Sequence, residues 1–454
     1  MRDLILTLFI VGSLPYAFMR PSYGLLMWAL LSYMNPHRLT WSYAYDFRFN
    51  FLVAFVTLAG VFFNKEVKFR IPIHGTTIFW MFFCLWTVVT SFNSFDPDRA
   101  FSEFDRFLKI QLMVLITFFL IKDRKWMDWL IWVIVLSIGV WVMKGGLFTL
   151  TSGGNFRVYG PARSFITDNN ALALAVLMGL PLTFYIRQFA KRLWQKQLAL
   201  VLIIFSVITV VGSYSRGGML GLVVVLGVLF GRSRRGMIVF LLGVVLVALS
   251  YTSMPKHWQE RMDDFFAIST AYELREDASM MGRLNSWVLA WELAKDRPFV
   301  GGGFNTFTAE RFQTYAPVPF ERHDAHSIYF EVMAEHGFFG FALFIGMHLF
   351  AVLLGFKVKH LARGKPELDW AVTLATMLQI SLLGYYVAGV FLGLAYFDLP
   401  YHLISILVML HHIVLKHSDK KVVPSATAWQ EPTYGMTTWS RKTDYSIFGR
   451  SAGQ

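Results

Sequence analysis

The chain has 454 residues, is 56% hydrophobic and only 16% charged, and carries a formal net charge of +13. A soluble domain would carry about 25% charge, so a soluble globular protein is excluded. The positive balance reads as basic loops facing a membrane rather than a nucleic-acid surface. The single cysteine, Cys84, lies in an apolar run and can form no internal disulfide.

Residues 4–34 are apolar but interrupted by Pro15, Arg20 and Pro21, which leaves either one kinked span or two short ones. A polar, aromatic loop at 35–50 follows, then apolar runs at 51–63, 76–92, 107–121 and 126–150. These complete an N-terminal membrane region, 1–150. A central region, 151–254, holds runs at 171–186, 198–212, 219–230 and 237–253. Residues 255–325 are the longest polar interruption, and 326–416 contain the last runs, at 327–356, 371–390 and 401–415. The tail, 417–454, is polar without an apolar period and reads as a disordered cytoplasmic extension. Each run meets or approaches the length that crosses a ~30 Å hydrocarbon core, so the expected fold is an all-α polytopic membrane protein with about 12 or 13 transmembrane helices. A transmembrane barrel would show ~10-residue alternating segments instead.

Threading the spans in order puts six basic clusters on one side, which the positive-inside rule makes cytoplasmic: Lys65/Lys68/Arg70, Lys122/Arg124/Lys125, Arg187/Lys191/Arg192/Lys196, Arg232/Arg234/Arg235, Lys357/Lys359/Arg363/Lys365 and Lys416/Lys420/Lys421. The C-terminus is then cytoplasmic. The N-terminus is inside if residues 4–34 cross once and outside if they cross twice. The segment 255–325 falls on the non-cytoplasmic face. Trp258, Met262, Phe265 and Phe266 recur there at helical spacing, as do Leu284, Trp287, Val288 and Trp291, and Gly301-Gly302-Gly303 demands a tight loop.

The groups able to do chemistry gather on that face. Tyr214-Ser215-Arg216-Gly217-Gly218 is a short turn between two apolar runs. Arg216 there either snorkels to a lipid headgroup or clamps an anion, with Gly217 and Gly218 allowing close backbone approach. In 157–170, Asp168 suits a helix N-cap, whereas Arg163 lacks an obvious local partner and is a candidate for the same anion site. Arg283 opens a predicted helix, where a cation opposes the dipole unless it is simply exposed or an anion is bound. His323, Asp324 and His326 could hold a metal by spacing, but no further ligand is placed to complete a site, and none is expected. His326 is either a hydrogen-bonded interfacial histidine or a base able to take a proton from a hydroxyl. Glu331 and Glu335 follow on the same predicted helix and should face the protein interior or a wet cavity; His336 reads as structural.

These residues together resemble a known family. His326-Ser327, nine residues, then Gly337 matches the His-[Asn/Ser/Gln]-x9-Gly pattern of bacterial O-antigen ligases and Wzy-type polymerases. Ser215-Arg216-Gly217-Gly218 is similar to that family's Ser-Arg-Gly turn, and Gly282-Arg283…Trp287…Pro298…Gly301-x-Gly303…Phe307 resembles its large periplasmic loop. The opening, around 31–41, resembles a subgroup of O-glycosylation ligases associated with the exosortase system of Gram-negative bacteria. The resemblance implies a GT-C-like helical fold in the bacterial inner membrane. It implies en bloc transfer of a glycan from undecaprenyl pyrophosphate at the periplasmic face to a lipid, glycan or protein acceptor, with no metal in the ligases and no cofactor. By motif position His326 would be the general base, while Arg216 and Arg283 would bind the pyrophosphate. Tyr214, Gly217, Gly218, Arg163, Asp324 and Glu335 are expected to line the substrate site. Membrane lipids are expected partners and nucleic acid is not. A polymerase and a protein O-oligosaccharyltransferase share these motifs. A transporter of a lipid-linked or anionic substrate would also use arginines at span ends, but the absence of an internal repeat and the one-sided polar groups argue against it.

Overall fold

The computed structural model describes residues 1–250, 256, 259 and 278–420. Trp258, Met262, Phe265 and Phe266, Lys421 and the rest of the tail lie outside the described residues, so those expectations stand only on the sequence. Among the described residues every regular element is helical. In chain order these are α1 (Arg2–Met19), α2 (Pro21–Met34), α3 (Phe49–Phe63), α4 (Gly75–Phe92), α5 (Pro97–Leu120), α6 (Arg124–Thr151), α7 (Asn169–Phe189) and α8 (Leu193–Gly212). They continue with α9 (Arg216–Phe230), α10 (Arg234–Ser250), α11 (Ala278–Asp296), α12 (Ala309–Tyr315), α13 (Ile328–Ala362), α14 (Asp369–Ala388) and α15 (Asp398–Lys420). Among the described residues eight helices are long and apolar enough to cross a membrane, and α3 and α9 are shorter apolar helices. This is an all-α, multi-pass membrane protein.

Residues 4–34 form two helices, and the break falls at Arg20–Pro21 rather than at Pro15, which sits inside α1. Pro21 opens α2, where a missing N–H costs nothing. The pair folds back on itself. The Asp3 carboxylate accepts the Ser42 and Ala44 amides at 3.0 and 3.3 Å, so α1 begins beside the loop in which α2 ends. Residues 4–34 are therefore a helical hairpin, and the chain starts at the same end of the bundle as loop 35–48.

The packing hub is α7, buried along nearly all its length between α6, α8, α9 and α14. Ala171, Ala173, Ala175 and Gly179 keep it thin, and small residues let helices approach closely where lipid offers no hydrophobic drive. At one end of the bundle the connecting segments interlock. Phe95 N donates to Gly302 O at 3.1 Å, Val158 N to Gly212 O at 3.0 Å, and Asn169 Nδ2 to Ser213 O at 2.8 Å. The opposite end carries the basic clusters: Lys122 Nζ donates to Glu66 O at 2.9 Å and Lys359 Nζ to Gln379 Oε1 at 2.7 Å.

The apolar run 328–362 conceals a break. Gly337 adopts φ 70°, ψ −177° inside α13, a region essentially closed to side-chain-bearing residues. A Cβ there would lie 2.6 Å from Pro298 O and 2.7 Å from Phe299 O. Carbonyls before the break lose their helical partners, and the triple-glycine loop supplies new ones: Gly302 N donates to Ala334 O at 2.8 Å and Gly303 N to Glu335 O at 2.9 Å. The extramembrane segment is thereby bolted to the helix that begins just after His326.

Candidate active site

Three contiguous cavities occupy the interlocked end. The first, about 310 Å³, is lined by Arg157, Arg216 and Arg283, together with Tyr214, Gly217 and Gly218. The fold thus joins two arginines that lie 67 residues apart in sequence (283 − 216), and adds a third. Their elements are fixed locally. Ser215 caps α9, its hydroxyl accepting Gly218 N at 3.0 Å. Tyr214 holds a left-handed backbone, φ 55°, and its hydroxyl donates to Gly154 O, which ties the turn to the loop bearing Arg157. A Cβ on Gly218 would meet Ala173 of α7 at 2.8 Å, so a side chain there would lift the mouth of α9 off the hub. The first residues of α9 line this arginine-rich space, and the positive end of that helix favours negative charge there.

Arg163 is not part of it. The sequence offered no partner, but the fold does: Arg163 pairs with Asp46 at 3.0 Å, is exposed, and lines none of the three cavities. Arg157, six residues earlier, takes that place. Asp168 caps α7 as expected, its carboxylate accepting Asn170 N at 2.8 Å and Ala171 N at 3.1 Å.

The second cavity, about 520 Å³, is lined by His326, Asp324, Glu331, Glu335 and Asp168 among others, and it shares Asn170 and Leu392 with the first. His326 precedes α13 with φ 42°. Its loop is carried by α11. Asn285 Nδ2 donates to Val318 O and Glu321 O at 2.8 and 2.9 Å, Ser286 Oγ to His323 O at 3.0 Å, and Trp287 Nε1 to Ala325 O at 2.8 Å. Trp287 also stacks on Phe330, centroids 4.9 Å apart. The Gly282–Trp287 motif therefore presents Arg283 to the first cavity and secures the backbone next to His326. A Cβ on Gly282 would strike the His323 ring at 2.3 Å, so His323 packs against that glycine. Burial holds the His326 imidazole below its ordinary 6.5, Arg283 adds to this, and Asp324 and Asp168 oppose it. The ring is thus kept neutral and ready to accept a proton at neutral pH. Among the described residues no group of three or more His, Cys, Asp or Glu is arranged to hold a metal.

Glu335 lines the second and third cavities with both oxygens engaged: Oε1 accepts Asn305 N at 2.7 Å and Oε2 accepts the Tyr396 hydroxyl at 2.6 Å. The same hydroxyl lies 2.9 Å from His336 Nε2, and His336 Nδ1 lies 2.8 Å from Thr90 Oγ1. His336 is structural, as its place in the sequence indicated. Glu335 and His336, nine and ten residues after His326, thus brace α4, α13 and the 389–397 loop together.

Residues 198–345 match the model of the O-antigen ligase family. That match supports a place for this region in the O-antigen ligase and Wzy-type polymerase superfamily. The match contains Arg216, Arg283, His326 and Gly337, and it supports a ligase- or polymerase-type, glycan-processing function. Residues 1–191 match a family of unknown function. That region supplies Arg157 and Asp168, so both matched regions build the site. No curated protein matches the chain.

Proposed function

We propose that this protein transfers a glycan en bloc from undecaprenyl pyrophosphate to an acceptor hydroxyl, at the periplasmic face of a bacterial inner membrane. The observation that carries the reading is the union of three guanidinium groups in a cavity that opens into the one holding His326. Arg157, Arg216 and Arg283 bind the diphosphate, and their charge stabilises it as it departs. His326 accepts the proton of the acceptor hydroxyl as its oxygen bonds to the anomeric carbon. The anomeric C–O bond to phosphate breaks, and the diphosphate leaves with the bonding pair. Nothing need be activated by a nucleotide, because the diphosphate is already a good leaving group once its charge is held. The remaining demand is to align acceptor and donor. The periplasmic placement rests on the basic clusters at the other end of the bundle.

The test is reconstitution in liposomes with an undecaprenyl-pyrophosphate glycan and candidate acceptors. Wild type should release undecaprenyl pyrophosphate and form glycosylated acceptor, and Arg216→Ala should lose donor use. Passage of labelled lipid across the bilayer with no glycan transfer would establish a transporter instead.

A further inference from the structure

The third cavity, about 300 Å³, continues from the second: both are lined by Asp324, Glu331, Glu335 and Gly393. It does not share a residue with the arginine cavity. The three spaces are therefore ordered, with the arginines at one end, His326 in the middle and the third cavity beyond. Its outer wall is new to the site. Glu103 and Arg106 of α5 and Phe165 of the 152–168 loop come from the region matched only by a family of unknown function, and they face Tyr396 and Phe397. Arg106 is spent within this wall, 3.9 Å above the Phe165 ring and 3.7 Å from the Glu103 carboxylate. Four carboxyl groups (Glu103, Asp324, Glu331 and Glu335) thus face the space against one guanidinium.

We propose that this third cavity is the acceptor subsite and takes an uncharged, hydroxyl-rich sugar ring; the inference rests on the transferase reading above. Two physical arguments lead there. In a direct displacement the attacking oxygen lies opposite the leaving diphosphate. With the diphosphate among the arginines, the acceptor must approach from the far side of His326, where this cavity lies. The lining then selects the ligand. Carboxyl oxygens accept hydrogen bonds from sugar hydroxyls, and aromatic rings pack against the apolar face of a pyranose. A phosphorylated or acidic sugar would meet the Asp324 and Glu103 carboxyl groups there, with the one guanidinium already engaged by Glu103 and Phe165. The unassigned N-terminal region thereby acquires a role, as the wall that chooses the acceptor.

The test is saturation-transfer NMR on the full chain in nanodiscs, which reads binding without turnover. The probes are lactose, cellobiose and N,N′-diacetylchitobiose, each beside a phosphorylated counterpart. At least one neutral disaccharide should bind, its phosphorylated form should not, and Phe165→Ala and Glu103→Gln should each weaken binding roughly tenfold. Glycan-free undecaprenyl pyrophosphate should leave the signal intact. Failure of every neutral sugar to bind, or equal binding of the phosphorylated forms, overturns the proposal. Displacement of the sugar by a glycan-bearing donor gives the cavity to the donor glycan and overturns the acceptor assignment. Sugar binding that responds to both substitutions, combined with no transfer in liposomes, would count against the transferase reading alone.

Discussion

Gly337→Ala is the sharpest test of how His326 is held. Gly337 sits at φ 70°, ψ −177°, and a non-glycine residue held in such a region costs about 1–3 kcal/mol. The added Cβ would also press on Pro298 O and Phe299 O at 2.6 and 2.7 Å, and these are backbone atoms that cannot swing aside. Overpacking of this kind costs a further 1–3 kcal/mol or so, for a total of about 2–6 kcal/mol. Gly364 provides the control. It has φ 74° but nothing within 4 Å of a built Cβ, so Gly364→Ala should cost only about 1–2 kcal/mol of backbone strain. Denaturant titration of both variants in mixed micelles, followed by intrinsic tryptophan fluorescence, measures the difference. The Gly337 variant should also lose transfer activity under conditions where it remains folded, because the clamp by Gly302 and Gly303 fixes the start of α13. Equal losses for the two variants, or a Gly337→Ala protein within about 1 kcal/mol of wild type, would refute the clamp.

Other expectations concern charge and hydrogen bonding. The pH profile of kcat/KM should be flat near neutrality and fall on its acid side as His326 takes a proton below its ordinary 6.5. Asp324 raises the His326 pKa, so Asp324→Asn should move that acid limb to lower pH; an upward shift would contradict the assignment. Arg157→Ala should weaken donor use by about 10- to 100-fold, the worth of a charge-assisted hydrogen bond. Arg163→Ala should change it less than about fivefold, since it breaks only the exposed pair with Asp46; a donor titration of both variants distinguishes them. Trp287→Phe keeps the stack on Phe330 but loses the bond to Ala325 O. It should lower stability by about 0.5–1.5 kcal/mol and reduce kcat more than it raises KM, measured by steady-state transfer.

The membrane class and the helical bundle were legible because long apolar runs need no tertiary information. The pairing of Arg216 with Arg283 and His326 was legible only through the spacing of motifs, since no local period connects residues so far apart. Arg157 and Arg163 could not be ranked from the chain. Both lie in one polar loop, and what separates them is the Tyr214 hydroxyl on Gly154, which folds one part toward α9, and Asp46, 117 residues distant, which draws Arg163 away. The break at Gly337 was hidden for a different reason. A glycine within an apolar run reads as a tolerated helical residue, and its cause lies in the carbonyls of Pro298 and Phe299 from another segment. The helix break in residues 4–34 was narrowed to Pro15, Arg20 and Pro21 but not chosen among them: Pro15 lies within α1, whereas Pro21 starts α2.

The central claim divides labour between an arginine cavity that holds the donor and a histidine that takes the acceptor's proton. Measuring donor affinity and single-turnover transfer side by side for His326→Ala and Arg216→Ala tests it most directly. His326→Ala should bind the lipid-diphosphate donor as wild type does yet transfer about 10²–10⁴-fold more slowly, while Arg216→Ala should bind the donor weakly. Wild-type turnover in His326→Ala, or undiminished donor affinity in Arg216→Ala, would contradict that division.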